Sequence, residues 1–156
     1  MKYLGLISIF LFLGVSCNKN ELGPYECASS SDSRLLPVTP WDEIAAGNVC
    51  TFIIDEGVDS IYIVRNEDQY SFLVNCIDGS PAIDFSKNSL LLGLQAFDDK
   101  LELTQQSVIK DCASKRYILT IETQVIEEGT PMAFYFGAVV PRIPDNYSAA
   151  VAFFTE

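Results

Sequence analysis

Tyr117-Ile118-Leu119-Thr120-Ile121-Glu122-Thr123-Gln124-Val125 decides the fold class of this chain. Tyr117, Leu119, Ile121, Thr123 and Val125 share one face, and Thr120, Glu122 and Gln124 lie on the other. A period of two belongs to a strand with one face buried. Glu127-Glu128-Gly129-Thr130-Pro131 then reads as a hairpin-like turn. Met132 to Val140 reads as the next strand, halted by Pro141 and Pro144, which cannot donate to a ladder.

The same short-strand pattern extends both ways. Ala149 to Phe154 closes the chain as a final paired strand. Upstream, Leu101-Glu102-Leu103-Thr104 alternates, and Asp98-Asp99-Lys100 turns the chain before it. Ser89-Leu90-Leu91-Leu92-Gly93-Leu94 is apolar throughout, as expected of a strand buried on both faces. Val49 to Ile54 and Ser60 to Val64 are two more strands, rich in β-branched residues. One segment differs. Asn66 to Cys76 reads as a short helix, with Asn66 as its cap, Glu67 and Asp68 in its first turn, and Tyr70, Leu73 and Val74 on one face. Strands in series around one helix, about 66–76, indicate an α+β domain with a mainly antiparallel sheet or a small β-sandwich.

Residues 41–156 are thus expected to form a single globular domain beginning near Trp41, which is placed to latch the preceding arm. Residues 17–40 read as a tether, since Gly23-Pro24, Ser29-Ser30-Ser31-Asp32-Ser33, Pro37 and Pro40 favour irregular or extended chain. Residues 1–16 read as a signal peptide: Met1-Lys2-Tyr3, then an apolar run ending in small residues. The run is shorter than the ~20 residues of a membrane span. Cys17 follows it and resembles the lipidated cysteine of a bacterial lipobox, with Gly14 standing where that motif usually has Leu. The expectation is a lipid-anchored protein of the Gram-negative cell envelope, at the outer membrane, with its domain on the periplasmic or surface side.

Composition narrows the chemistry. Asp and Glu number 21 against 10 Lys and Arg, a net charge of −11. No basic cluster is present, so nucleic acid is not an expected partner. Histidine is absent. That removes the commonest general base, nucleophile activator and metal ligand, and no catalytic role or cofactor is expected. Cys27, Cys50, Cys76 and Cys112 form an even set in an exported chain, which favours disulfides. Three pairings are possible. Cys50 with Cys76, which flank one strand–helix segment, is the favoured pair, and Cys27 with Cys112 would tie the N-terminal arm to the body. No C-x-x-C pair supports a zinc site.

Paired carboxylates at Asp55-Glu56, Glu67-Asp68, Asp98-Asp99 and Glu127-Glu128 fall at turns or a helix start, where solvated charge is ordinary. Asp84 stands between apolar neighbours ahead of Ser86-Lys87-Asn88, where its carboxylate can accept turn N–H groups and fix the following strand. In Phe134-Tyr135-Phe136, at least one ring must face away from the others. An exposed aromatic there would be a protein or glycan contact point.

Ile83-Asp84-Phe85-Ser86-Lys87, Leu90-Leu91-Leu92-Gly93, the Tyr117 strand and Val139-Val140-Pro141-Arg142-Ile143-Pro144 together resemble the C-terminal domain of the protease-complex stability lipoproteins, the PrcB type. The likeness runs from about Val49 to Glu156 and rests on Asp84, Phe85, Pro141 and Pro144. That family's Gly-rich turn before the hairpin is replaced here by Lys115-Arg116-Tyr117. The resemblance implies a non-catalytic, lipid-anchored domain that binds or stabilises a partner protein, in the type case a secreted protease. A carbohydrate- or small-ligand-binding surface lipoprotein is the alternative. Exposed Tyr or Trp in a concave face would favour the alternative; a flat apolar patch, or an open strand edge for strand addition, would favour a protein partner.

Overall fold

The computed structural model describes residues 25–29, 31–54 and 60–156. The expected signal peptide, Cys17 and the first part of the tether lie outside these residues.

Ten strands and two short helices follow in chain order: β1 (Ser33–Leu36), β2 (Thr39–Pro40), α1 (Trp41–Ala45), β3 (Cys50–Phe52), β4 (Ser60–Val64), α2 (Glu67–Leu73), β5 (Val74–Cys76), β6 (Asn88–Phe97), β7 (Lys100–Asp111), β8 (Arg116–Glu127), β9 (Met132–Pro141) and β10 (Ser148–Thr155). They stack as three layers. The outer sheet runs β1-β7-β8-β10 and the central sheet β2-β9-β6-β4. The two helices and the small β3–β5 pair cover the far side of the central sheet. The fold is therefore an α+β sandwich.

β6 explains the layering. Six consecutive residues, Ser89 to Leu94, are buried. Leu91 enters the core between the sheets with Leu101, Val108, Leu119, Ile121, Phe136 and Ile143. Leu90, Leu92 and Leu94 enter a second core with Trp41, Val64, Tyr70 and Val74. A strand with period-two side chains reaches two cores only when both faces are covered, which is why its sequence carries no polar alternation.

Three expectations are corrected. The helix expected over 66–76 ends at Leu73. Asn66 does cap it, its Oδ1 accepting from Gln69 N–H at 2.9 Å. Beyond Leu73, β-branched Val74 begins β5, which pairs antiparallel with β3 and sets Cys76 opposite Cys50. Helix α1 is a second helix in addition to the one expected. The tether expected over 17–40 does not reach Pro40: β1 pairs with β7, β2 pairs with β9, and Leu36 is buried in the inter-sheet core. The body thus begins before Trp41, because buried Leu36 and the pairing of β1 with β7 outweigh the surrounding Ser and Pro. β10 is a paired final strand, as expected; it lies parallel to β8, while the other two ladders of the outer sheet are antiparallel. The long connection through Pro141 to Tyr147 carries the chain across to the other sheet and permits that direction.

The turn between β7 and β8 holds Lys115 at φ 51°, a left-handed backbone that glycine adopts with less strain.

Candidate functional site

The four cysteines among the described residues lie in two disulfides. Cys50–Cys76 joins the β3–β5 pair, and Cys27–Cys112 ties the arm to the start of the β7–β8 turn across 85 residues of chain. Between these anchor points Asp32 organises the arm, its carboxylate accepting Ala28 N–H and Ser29 N–H at 3.0 Å each. The arm closes over Lys110, which is buried. Its Nζ donates to the Tyr25 carbonyl at 2.7 Å and lies 5.1 Å from the Tyr147 ring centroid. Burial pushes the Lys110 pKa down, partly opposed by the nearby Glu26 charge.

Asp84, Phe85, Pro141 and Pro144 are brought together as a structural corner. The Asp84 carboxylate accepts Ser86 N–H at 3.0 Å and pairs with Lys87 Nζ at 3.0 Å. The Ser86 hydroxyl and the Lys87 ammonium hold its pKa below the usual carboxylate range. Asp84 is exposed, its carboxylate held by its own turn. Phe85 packs at 5.5 Å from Tyr70. Pro141 ends β9, and Arg142 N–H then donates to Lys87 C=O at 2.8 Å. The Arg142 guanidinium reaches Phe85 C=O, and Ile143 N–H donates to the buried Ser89 hydroxyl at 3.0 Å. Arg65 clamps the other side, donating to the carbonyls of Ile143, Pro144 and Tyr147 at 3.1–3.3 Å. The two segments therefore satisfy each other's backbone.

Two surfaces remain open. The first is the solvent face of the outer sheet. Register places Leu35 opposite Ile109, Ile109 opposite Ile118, and Ile118 opposite Ala150. This apolar row crosses all four strands, with Leu35 72% and Ile109 36% exposed. One row along, Ser33, Asp111, Arg116 and Ser148 make a polar border. At the far end of β10, Phe154 is 60% exposed on the same face. Ser148 to Thr155 carries no charge along this edge strand. Ile118 and Ile126 were the available signal, as apolar residues in the polar phase of the Tyr117 strand.

The second is a cleft of about 380 Å³ between the sheets, lined by Trp41, Asp42, Glu102, Gln106, Tyr135 and Gly137 among others. It exists because the N-terminal strands are short. β2 covers β9 only at Ala138 and Val139, and β1 covers β7 only from Val108 onward. Trp41 closes its floor, sitting against Gly137, where an added Cβ would lie 3.0 Å from Trp41 Cβ. Phe134 and Phe136 turn inward while Tyr135 turns outward, 50% exposed. The Tyr135 ring stands edge-on to Phe52 at 5.9 Å, and Phe52 to Trp41 at 5.5 Å. Gln106 and Asp42 were not singled out in the sequence. A single amide in a polar stretch carries no period of its own.

Among the described residues, no group of three or more Cys, Asp and Glu could hold a metal ion, and no helix is long and apolar enough to cross a membrane. No protein-family model, curated protein or solved structure matches the chain.

Proposed function

We propose that this protein is a non-catalytic cell-envelope lipoprotein, anchored through Cys17, whose domain docks and stabilises a partner protein on the solvent face of its outer sheet. One observation carries the reading: the row Leu35, Ile109, Ile118 and Ala150 is apolar, flat and bordered by polar residues. That is the anatomy of an interface core with its rim. A sheet face in contact with water alone would alternate to polar residues here, as it does one row away. The likeness to protease-complex stability lipoproteins supports an exported protease as the partner class. Disulfides agree with an oxidising compartment.

The experiment places a photo-crosslinking residue at Ile109 in the full chain, in its own cells, with a second at exposed Phe72 on the opposite layer as control. The expected result is one dominant adduct from position 109, absent from position 72 and lost when Leu35 is changed to Lys. Equal adduct patterns from both positions would refute docking on this face. Separately, Cys17→Ala is expected to move the protein from the membrane to the soluble fraction. Unchanged membrane retention would refute the anchor.

A further inference from the structure

β10 is a sheet edge that the rest of the fold leaves open. Among the described residues it has a strand, β8, on one side only. The ladder decides which of its backbone groups are used. Ser148 N–H donates to Lys115 C=O, and just past the strand Glu156 N–H donates to Thr123 C=O while Glu156 C=O accepts from Val125 N–H. A parallel ladder takes both groups of every second residue, so Ser148, Ala150, Ala152, Phe154 and Glu156 bond to β8. The N–H and C=O groups of Ala149, Val151, Phe153 and Thr155 point the other way, to the open side.

The other three edges are blunted. β2 is two residues long and ends on Pro40. β1 is four residues long and carries Arg34, which shares its inward face with buried Leu36. β4 is five residues long and runs into Arg65. Shortness, Pro and charge are ordinary protections against strand addition. β10 has none of them: it is eight residues long, in unbroken register, with neither charge nor Pro.

Charge and shape together select the occupant. At net charge −11 two copies of this chain repel each other over most of their surface, and an uncharged strand is where they can approach at least cost. The strand also complements its own reverse. Ala149, Val151 and Phe153 pack inward, which leaves Ser148, Ala150, Ala152 and Phe154 on the outer face. With a second β10 laid antiparallel and Ala152 on the twofold axis, Ala150 faces Phe154 of the second copy, small against large, and Ser148 faces Glu156. On the inner side Ala149 pairs with Thr155 and Val151 with Phe153, so every N–H on the open side meets a carbonyl. Phe154, 60% exposed in one copy, is then covered. Such a pair is closed, because each copy's open edge is consumed by the other.

We propose that two copies of this chain pair antiparallel along β10, about a twofold axis at Ala152, and so join their outer sheets into one. The solvent face of that sheet stays open in the pair, so the pairing does not depend on a partner docked there.

Cross-linking of full chains in their own cells tests this. Residues that face each other without hydrogen bonds in an antiparallel pair have Cα atoms roughly 4.5 Å apart, inside the roughly 4.4–6.8 Å that a disulfide spans. Ala152→Cys is therefore expected to link the chain to itself on oxidation by copper–phenanthroline, reversibly with dithiothreitol. Phe72→Cys, exposed on the opposite layer, is expected to give no such dimer. Differently tagged Ala150→Cys and Phe154→Cys chains, produced together, are expected to link to each other and neither to itself. Sedimentation of the detergent-solubilised full chain measures the pair without any cysteine variant. Phe154→Ala is expected to weaken it about tenfold, since the twofold axis counts each lost cross-strand contact twice. Added salt is expected to strengthen it, because the facing strands hold no ion pair and screening relieves the repulsion. Equal linking from Ala152→Cys and Phe72→Cys would overturn the proposal, as would self-linking of Ala150→Cys alone. So would an Ala152→Cys adduct with a different protein in place of a second copy, a monomer at every salt concentration, or a dimer unchanged by Phe154→Ala.

Discussion

At the scale of single residues, the fold places three polar groups where water does not reach, and each has a consequence that can be measured. Tyr117 is buried against Tyr147, and burial pushes its phenol from 10.0 up to about 12. Between those values the unfolded chain loses a proton that the native chain keeps. The native state then binds more protons, and stability falls as pH rises through the window. Lys110 acts in the opposite sense. Its lowered pKa means that, just below pH 10.5, the unfolded chain binds the extra proton and stability rises with pH. Among the described groups, the phenol of Tyr117 donates no hydrogen bond, so Tyr117→Phe is expected to leave stability at pH 7 within about 0.5 kcal/mol. It is also expected to recover on the order of 1 kcal/mol near pH 11.5, counting the water that reaches the ring edge. Urea midpoints at the two pH values check both parts. Tyr70 has the same alkaline sense, but its hydroxyl donates to Pro81 C=O at 2.8 Å and cannot be deleted without cost. Gln106 is the residue that no sequence pattern could reveal, since its inward direction depends on a bulge two residues earlier.

At the scale of elements, periodicity was readable wherever one or both faces are buried over several residues, and unreadable where a partner strand decides. The alternation of Tyr117 to Val125 and the apolar run of β6 are strands for the reasons the residues suggest. α2 stops at Leu73 because Val74 to Cys76 has β3 to pair with, a non-local fact. Ser and Pro dominate the arm and suggest a tether, yet one buried leucine, Leu36, and the ladder to β7 seat β1. β10 was read as a strand but not as a parallel one, since direction is set by the crossing through the Pro141–Pro144 corner. One element-level pairing makes a sharp prediction. Gly93 lies directly across from Phe136, and a Cβ at Gly93 would sit 2.0 Å from the ring. Phe136 is held in turn by Phe153 at 5.4 Å and has no room to swing. Gly93→Ala is therefore expected to cost about 1–3 kcal/mol by overpacking. The double change Gly93→Ala with Phe136→Leu is expected to cost less than the sum of the two single ones. Denaturation of the four proteins closes that cycle. Additive losses would show that the ring and the missing methyl do not share space.

At the scale of the molecule, fold class followed from pattern, while the open surfaces did not. A flat apolar row and a cleft are products of register between strands far apart in sequence. Composition still narrows the chemistry open to the chain, which has no histidine. The two disulfides divide the work. Cys50–Cys76 closes a short segment and Cys27–Cys112 a long one, and each is expected to contribute about 2–4 kcal/mol. Replacing both cysteines of either pair by Ala and measuring thermal unfolding under non-reducing conditions checks this. A loss below about 0.5 kcal/mol would mean the unfolded chain is not restrained by that bridge. The bridge at Cys27 has another consequence, one of geometry and not of stability. If Cys17 carries a lipid, as proposed, the chain from there to Cys27 is about ten residues and spans at most roughly 35 Å. If a thiol oxidoreductase opened that bridge and the arm peeled back to Ser33, the leash would lengthen to roughly 55 Å. The volume the domain can search from a fixed point on the membrane grows with the cube of that radius, here about fourfold. On that proposal the bridge would act as a length setting, deciding which neighbours are within reach.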